Sequence, residues 1–433
     1  MTQATLGARP REWPTARSSR QGILAQFGDG RADLAGWALT TGDPLADAVV
    51  EELHSSGHEA RAKLHHGIEH GLASVDDPPP GVAALLEQTE TAPAYVDDTL
   101  LDEASLPFFS APPPVHIVSL AAGALVRTYQ SPSMATVLAM TGRLVDGVPR
   151  RLRETGRWVN TAMLPGSLRR GNAGYVATLQ VRMMHAHMRR LARRRGYDEA
   201  AYGVPVNQVD LARTWMDFTL ASYRAEEIMG FPRTSAELAS LYRYWSYVGH
   251  LLGVDPRLIE GISGHDDAQR VDDLMQAVTG PAIPETAVLA AATLETIAGT
   301  LNEVARVPHG MARQALRALA RRFHGNTVLD ELGLPGGAVT DALLSPAFHA
   351  IRIRRNRLRR DRPPGGKPSR PTWPPRANWP GTPRNRRPTS TPPGPVSNSD
   401  SPYDDSRRNN GEDHAGHPGS RSHRQARGGH RSE

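Results

Sequence analysis

Hydrophobic positions recur with helical spacing along most of the chain. The pattern is most complete just after Gly42, where the apolar residues between Leu45 and Leu53 return every three or four positions. Asp43 can cap such a helix, and Pro44 suits its first turn, where a missing backbone N–H costs little. This segment therefore predicts a capped amphipathic helix.

Similar periodicity predicts many further helices, whereas alternating runs of β-branched residues, typical of strands, stay shorter than about five residues. The proline clusters Pro78–Pro80 and Pro112–Pro114 are predicted to be loops. The predicted helical segments are three pieces between Val115 and Arg195, broken near Ser131–Pro132 and Pro165–Gly174, followed by Val209–Met229, Ser235–Gly253, Asp266–Val278, Ala287–Val304 and Pro308–Phe323. We therefore predict an all-α protein with one large helical domain over residues 31–350.

Charge divides the chain into two unlike parts. Residues 351–433 contain 19 basic and 7 acidic residues, whereas the preceding 350 contain 32 and 38. Proline, glycine, serine and arginine dominate the C-terminal part, which offers little apolar area to offset the entropy of ordering. We predict a disordered basic tail over residues 351–433 and, because residues 1–30 are polar and rich in glycine and arginine, a poorly ordered lead-in there.

Composition and missing signals exclude several classes of protein. Without cysteine the chain has no disulfide framework, iron–sulfur cluster or thiolate-ligated haem. The longest apolar stretch, Val115–Val126, is shorter than the roughly 20 residues that span a bilayer. No apolar region follows the basic residues near Met1, so we expect no signal peptide and a cytoplasmic protein.

The most informative segment is GYVATLQVRMMHAHMRRLARRR, residues 174–195. At 100° per residue, Arg182 and Arg189 lie within about 60° of His185, whereas His187 points about 160° away. A histidine with a guanidinium one turn to either side suits a planar anionic cofactor, in which the imidazole ligates iron and the arginines pair with carboxylates. The same pattern also fits a basic helix end with a hydrogen-bonded histidine, and periodicity alone leaves both interpretations open.

Two further features bear on such a site. Arg151 and Thr155 lie one helical turn apart on one face, although this spacing is also typical of a surface pair whose threonine bonds back to a helix carbonyl. His250 lies among apolar residues and is the main alternative to His185. No arginine lies one turn before or after it in the sequence, so a cofactor there would lack local partners for its carboxylates.

Taken together, these segments resemble the rubber-oxygenase/MpaB-type family, bacterial proteins with the DUF2236 catalytic domain. The similarity extends from about Gly42 to about Arg322 and rests on the R-x-x-x-T pair and on an R-x-x-H-x-x-x-R motif some thirty residues later. The resemblance implies an all-helical, globin-like core that holds haem b, with His185 as the axial ligand of the iron. It also implies which residues surround the haem: Arg151, Thr155, Arg182 and Arg189.

The chain departs from the latex-clearing members at one position. They carry a lysine just before the threonine, which can occupy the distal iron position, and here that residue is Glu154. Glu154 and Thr155 are therefore the candidate catalytic residues, although Glu154 could equally be a salt-bridged surface residue. Latex-clearing members are also usually exported, so the MpaB-type members, linked to oxidative cleavage of a terpenoid side chain, are the nearer analogy.

These expectations define two alternative functions. The first is a haem b-dependent oxygenase that acts with O₂ on a C=C bond of a hydrophobic, isoprenoid or terpenoid substrate. The second is a non-catalytic helical haem-binding or interaction protein whose basic tail contacts anionic surfaces. For partners we expect a hydrophobic small molecule or lipid and peripheral membrane association, and no specific nucleic acid.

Overall fold

The computed structural model describes residues 12–142, 144–334 and 336–360, and this part of the chain is helical, without a β-strand. The predicted all-α class is confirmed. The α-helices, numbered in chain order, are Arg20–Phe27 (α1), Asp29–Leu39 (α2), Pro44–Ser55 (α3), Gly57–His70 (α4), Pro80–Glu90 (α5), Asp98–Glu103 (α6), Pro113–Val118 (α7), Val126–Tyr129 (α8), Pro132–Ala139 (α9), Val148–Ala162 (α10), Ala173–Arg194 (α11), Glu199–Tyr202 (α12), Gln208–Met216 (α13), Ser222–Ile228 (α14), Ser235–Leu252 (α15), Pro256–Ile259 (α16), His265–Thr279 (α17), Pro284–Ala305 (α18), His309–Glu331 (α19) and Ala338–Arg360 (α20). Short 3₁₀ turns cover Leu72–Ser74 and Leu106–Ser110.

Local signals account for most helix ends. Helix α3 begins at Pro44 as predicted, and Asp43 Oδ1 accepts a hydrogen bond from the Ala46 backbone N–H at 3.3 Å. The prediction that both proline clusters are loops throughout is wrong at their last residues, because α5 begins at Pro80 and α7 at Pro113. Proline is favoured in a first helical turn because its φ is already set and no N–H is lost from the hydrogen-bond ladder.

Two π-helical turns interrupt the core helices. Ser119–Leu125 joins α7 to α8, and Asp217–Ala221 joins α13 to α14, within the segment predicted as one helix from Val209. The two turns pack against each other. Arg127 Nε donates to Asp217 Oδ1 at 2.6 Å in the same buried region. Such wide turns shift the helical register and bring polar groups into the interior.

Helix α11 lies near the centre of the main core. It packs against α3, α10 and α15. Leu179 and Met183 lie on the side of α11 opposite His185, and both are buried. A second apolar cluster forms where α18, α19 and the first π turn meet, around Leu294 and Leu316.

The N-terminal segment differs from the sequence prediction. Residues 12–30 contain α1 and the first residues of α2 rather than a poorly ordered lead-in. Arg17 is buried and pairs with Asp210 at 3.2 Å, and Ile23 joins the main core. A buried ion pair and an apolar anchor order this segment, and neither is visible in its local composition. The predicted disordered tail also begins too early, because residues 351–360 belong to α20. The rest of the predicted tail, from residue 361, and the lead-in before residue 12 lie outside the described residues.

No single helix in the described ranges is both long and apolar enough to cross a bilayer. One bent pair, Asp98–Ser110 with Pro113–Tyr129, reaches the required length and composition only when joined across a 91° bend.

Candidate functional site

Helices α10 and α11 form an antiparallel pair held by a close contact at their joined ends. A Cβ atom on Gly174 would lie 3.0 Å from the Ala162 Cα atom, so glycine permits the helices to approach this closely. One turn further along, Trp158 Nε1 donates to Thr178 Oγ1 at 3.1 Å. These two contacts fix the register of the pair.

The two predicted motifs lie on these paired helices. Arg151 is on α10, and His185 is on α11. Val181 and Met188 share the face of α11 that carries His185, and both are only partly buried. His185 therefore has partly exposed apolar neighbours on its own helix.

The His185 imidazole has an unused buried nitrogen. The side chain is half-buried, and its Nδ1 atom is buried without a hydrogen-bond partner among the described residues. Burial, followed by the positive charge of Arg189, lowers the pKa of His185 to about 4, although the carboxylate of Asp43 opposes both effects. The ring is therefore neutral at pH 7, which is the form that coordinates metals.

Arg182 is fully engaged with protein partners. Its Nε and Nη2 atoms donate to the two carboxylate oxygens of Asp43 at 2.6 and 3.0 Å, and Nη1 donates to Gln88 Oε1 at 2.6 Å. Both charged side chains are almost completely buried. Gly253, with φ at 75°, ends α15 directly on this pair, and a Cβ there would lie 2.5 Å from Asp43 Oδ2. The pair ties α3, α11 and α15 together.

Arg189 makes a parallel contact one turn further along α3. Its Nε donates to Asp47 Oδ1 at 2.6 Å, and Nη1 donates to the Val206 carbonyl at 3.2 Å. Nη2 is buried without a partner in the described part of the chain. Burial raises the pKa of Asp47, and the Arg189 charge partly counters this effect. Arg189 thus keeps one donor atom available, whereas all three nitrogens of Arg182 already donate.

A sequence model of one protein family matches residues 110–353, and its description reads "ER-bound oxygenase mpaB/B'/Rubber oxygenase, catalytic domain". The matched segment covers more than half of the chain and contains both α10 and α11. The chain belongs to this family. The resemblance inferred from the two motifs is thereby confirmed.

The fold agrees with membership of the mpaB/rubber oxygenase family. The chain is similar to a solved structure described as latex clearing protein in the closed state, with a TM-score of 0.57 and 20% sequence identity. The alignment covers 77% of this chain and 87% of that chain. At this identity the likeness shows a shared fold. No curated protein matches the chain.

The candidate residues of this family member on α10 differ in their surroundings. Arg151 is half-buried, donates from Nη2 to the Leu144 carbonyl at 2.7 Å and lies beside the Tyr129 hydroxyl. Thr155, one turn later, is also half-buried. Glu154 is exposed and pairs with Arg150 at 2.7 Å. A catalytic role for Glu154 therefore remains a prediction without support from this geometry, which matches the surface alternative.

The structure corrects one part of the argument against His250. The Gln88 Nε2 amide lies 3.3 Å from Nδ1 and 3.2 Å from Nε2 of His250, and Gln88 also binds Arg182. Burial, followed by the charge of Arg182, lowers the pKa of His250. An arginine is thus near His250 in space although none is near in sequence. Unlike His185, however, His250 has an amide partner on its ring.

The acidic partners of the two arginines were not predicted from the sequence. Asp43 was interpreted only as a helix cap, and Asp47 and Gln88 were not considered. The sequence carries no clear signal for this pairing, because Asp43 and Asp47 are one helical turn apart whereas Arg182 and Arg189 are two turns apart. Their partnership depends on how the two helices pack.

Proposed function

We propose that this protein is a haem b-dependent oxygenase that uses O₂ to oxidise a C=C bond of an apolar, isoprenoid-like substrate. The observation that carries the proposal is His185, a neutral imidazole whose buried Nδ1 atom has no partner among the described residues. Membership of a family of oxygenases supports the reaction class.

The residues present fit a prosthetic group better than a bare metal ion. Among the described residues, no group of three or more histidine, aspartate or glutamate side chains is placed to hold an ion. A single histidine suffices for a porphyrin, which supplies four further ligands to its iron. When bound, haem would supply the iron that binds and activates O₂.

The residues around His185 would have separate tasks. His185 would hold the iron, and Arg189, with its free Nη2 atom, is the arginine that we assign to a cofactor carboxylate. Arg182 would act through its pair with Asp43 by holding α3 against α11. Arg151 and Thr155 would line the cofactor from α10.

The substrate class follows from the apolar neighbours of His185 and from the chemistry. The partly exposed Val181 and Met188 side chains favour an apolar chain. If both atoms of O₂ are inserted across a C=C bond and that bond is cleaved, two carbonyl groups form, and no further reductant is needed. Isoprenoids, which repeat such bonds along an apolar chain, meet both requirements.

Product analysis with the full-length, haem-loaded protein tests this function. Squalene is incubated with ¹⁸O₂, and carbonyl products are reduced at once with borohydride to alcohols, which keep the carbonyl oxygen, and are weighed by mass spectrometry. Squalane, which lacks double bonds, is the matched control substrate, and His185→Ala is the control protein. We expect labelled carbonyls from squalene alone, and only with the unmodified protein.

Two outcomes would contradict the proposal. Carbonyl products that form equally under nitrogen would show that O₂ is not the oxidant. Haem binding without products from any isoprenoid alkene would instead favour the alternative, a haem-binding protein without turnover.

A further inference from the structure

Helix α20 exposes a continuous apolar stripe. Val339 is 77% exposed, Leu343 75% and Ile353 40%. At 100° per residue these three side chains lie within about 80° of one another, and the exposed Ala350 falls between them. Large exposed apolar side chains gathered on one helix face indicate a binding surface rather than chance exposure.

The opposite face of α20 is docked on the protein. Leu344 and Phe348 pack against the second apolar cluster. A Cβ atom on Gly230 would lie 2.9 Å from Ile351 Cγ2, so this glycine makes room for the helix. Arg355 also donates to the Ser110 carbonyl at 2.9 Å. Because the inner face is fixed, the apolar stripe points outward.

Positive charge is concentrated at the C-terminal end of the same helix. Residues 351–360 contain six arginines, and no acidic residue occurs between residues 342 and 360. Arg354 and Arg357 are exposed and lie within about 60° of Val339 around the helix. Asp341, the acidic residue nearest to them in sequence, is already paired with Arg322 at 3.0 Å. Within the described residues the surface therefore combines apolar side chains with arginines that have no acidic partner.

We propose that this face of α20 docks on an anionic lipid surface. Apolar side chains enter the boundary between headgroups and acyl chains, while arginines contact lipid phosphates. A nucleic acid would match the arginines but would leave Val339 and Leu343 without a partner, and a second copy of this helix would bring like charges together. This inference does not depend on the proposed oxygenase function.

Site-specific labelling tests the docking on the full chain. The sequence has no cysteine, so Leu343→Cys provides a unique site for a polarity-sensitive fluorophore, and the exposed Ser55→Cys on α3 is the matched control. With vesicles of phosphatidylcholine plus phosphatidylserine, we expect emission from position 343 to shift to shorter wavelength. Emission from position 55 and emission with phosphatidylcholine alone should not shift.

A charge-matched comparison tests the arginines. Replacing Arg354 and Arg357 by glutamine in the labelled protein should raise the lipid concentration for the half-maximal shift by roughly thirtyfold. Replacing two exposed arginines elsewhere by glutamine should change it far less, and suitable control positions are Arg31 and Arg61.

Three results would overturn the proposal. Vesicle binding without a shift at position 343 would assign lipid contact to another part of the chain. A shift that appears without lipid and grows with protein concentration would identify a second copy as the partner. A shift with a single-stranded oligonucleotide but not with vesicles would identify a nucleic acid.

Discussion

Replacing Asp43 by asparagine should destabilise the protein more than any exposed charge substitution. The carboxylate accepts two hydrogen bonds from Arg182, and both side chains are at most 4% exposed. Asparagine has nearly the same size and is an equally good helix cap, so packing and capping change little. What remains is a buried guanidinium without a counter-charge, because the amide oxygens of the new side chain and of Gln88 are neutral acceptors.

The expected loss of stability follows from removing the negative charge that balances Arg182. Removing one partner of a buried ion pair costs about 3–5 kcal/mol, because the other charge stays in a poorly solvating interior. Glu154→Gln is the control, since Glu154 pairs with Arg150 at the surface, where such pairs contribute about 0–1 kcal/mol. The double variant Asp43→Asn/Arg182→Met should recover part of the stability, because it also removes the isolated charge.

Urea unfolding followed by circular dichroism measures these differences in the free energy of unfolding. The expected order of stability is unmodified protein and Glu154→Gln, then the double variant, then Asp43→Asn. If Asp43→Asn lost no more free energy of unfolding than Glu154→Gln, the pair of Asp43 and Arg182 would not hold α3 against α11.

Two further predictions concern neighbouring residues. Gly253→Ala should cost about 1–2 kcal/mol for a left-handed backbone and about 1–3 more for crowding Asp43, as measured by urea unfolding. His185 has a folded pKa of about 4, below its ordinary 6.5. Between these values only the unfolded chain binds the proton, so folding stability is full above pH 6.5 and falls towards pH 4. His185→Gln should lose less stability over this range than the unmodified protein.

The predictions for Gly253 and His185 each have a matched control. Gly261 has nearly the same φ, 76°, but open space around its missing Cβ. Equal losses in Gly261→Ala and Gly253→Ala would therefore refute close contact with the ion pair. His187 also has a pKa of about 4, so only the difference between the unmodified protein and His185→Gln reports on His185. Identical pH profiles would show that this imidazole is not buried.

Local sequence signals predicted the helices well. Helix α3 was predicted from its capping aspartate, its proline and its apolar spacing, and α11 was predicted from its apolar spacing. All of these signals are local to the segment. Helix α19 was predicted to end at Phe323 but continues to Glu331 across a kink at Gly325, where φ is 85°. Glycine in a left-handed conformation normally ends a helix, and the sequence does not reveal that a further turn follows.

Contacts between distant segments could not be predicted. Asp43 and Arg182 are 139 positions apart, and Arg17 and Asp210 are 193 apart. A helical wheel gives the face on which an arginine lies but not the carboxylate that meets it. The sequence therefore placed Arg182 and Arg189 beside His185, while their pairing with aspartates became visible only in the folded chain.

The absorption spectrum of the purified full-length protein, oxidised and then reduced with dithionite, tests most directly whether His185 holds haem. We predict a Soret band that shifts on reduction, that is lost in His185→Ala, and that persists in His187→Ala on the same helix. His250→Ala should lower stability and keep the band. A band that survives in His185→Ala but disappears in His250→Ala would contradict the assignment.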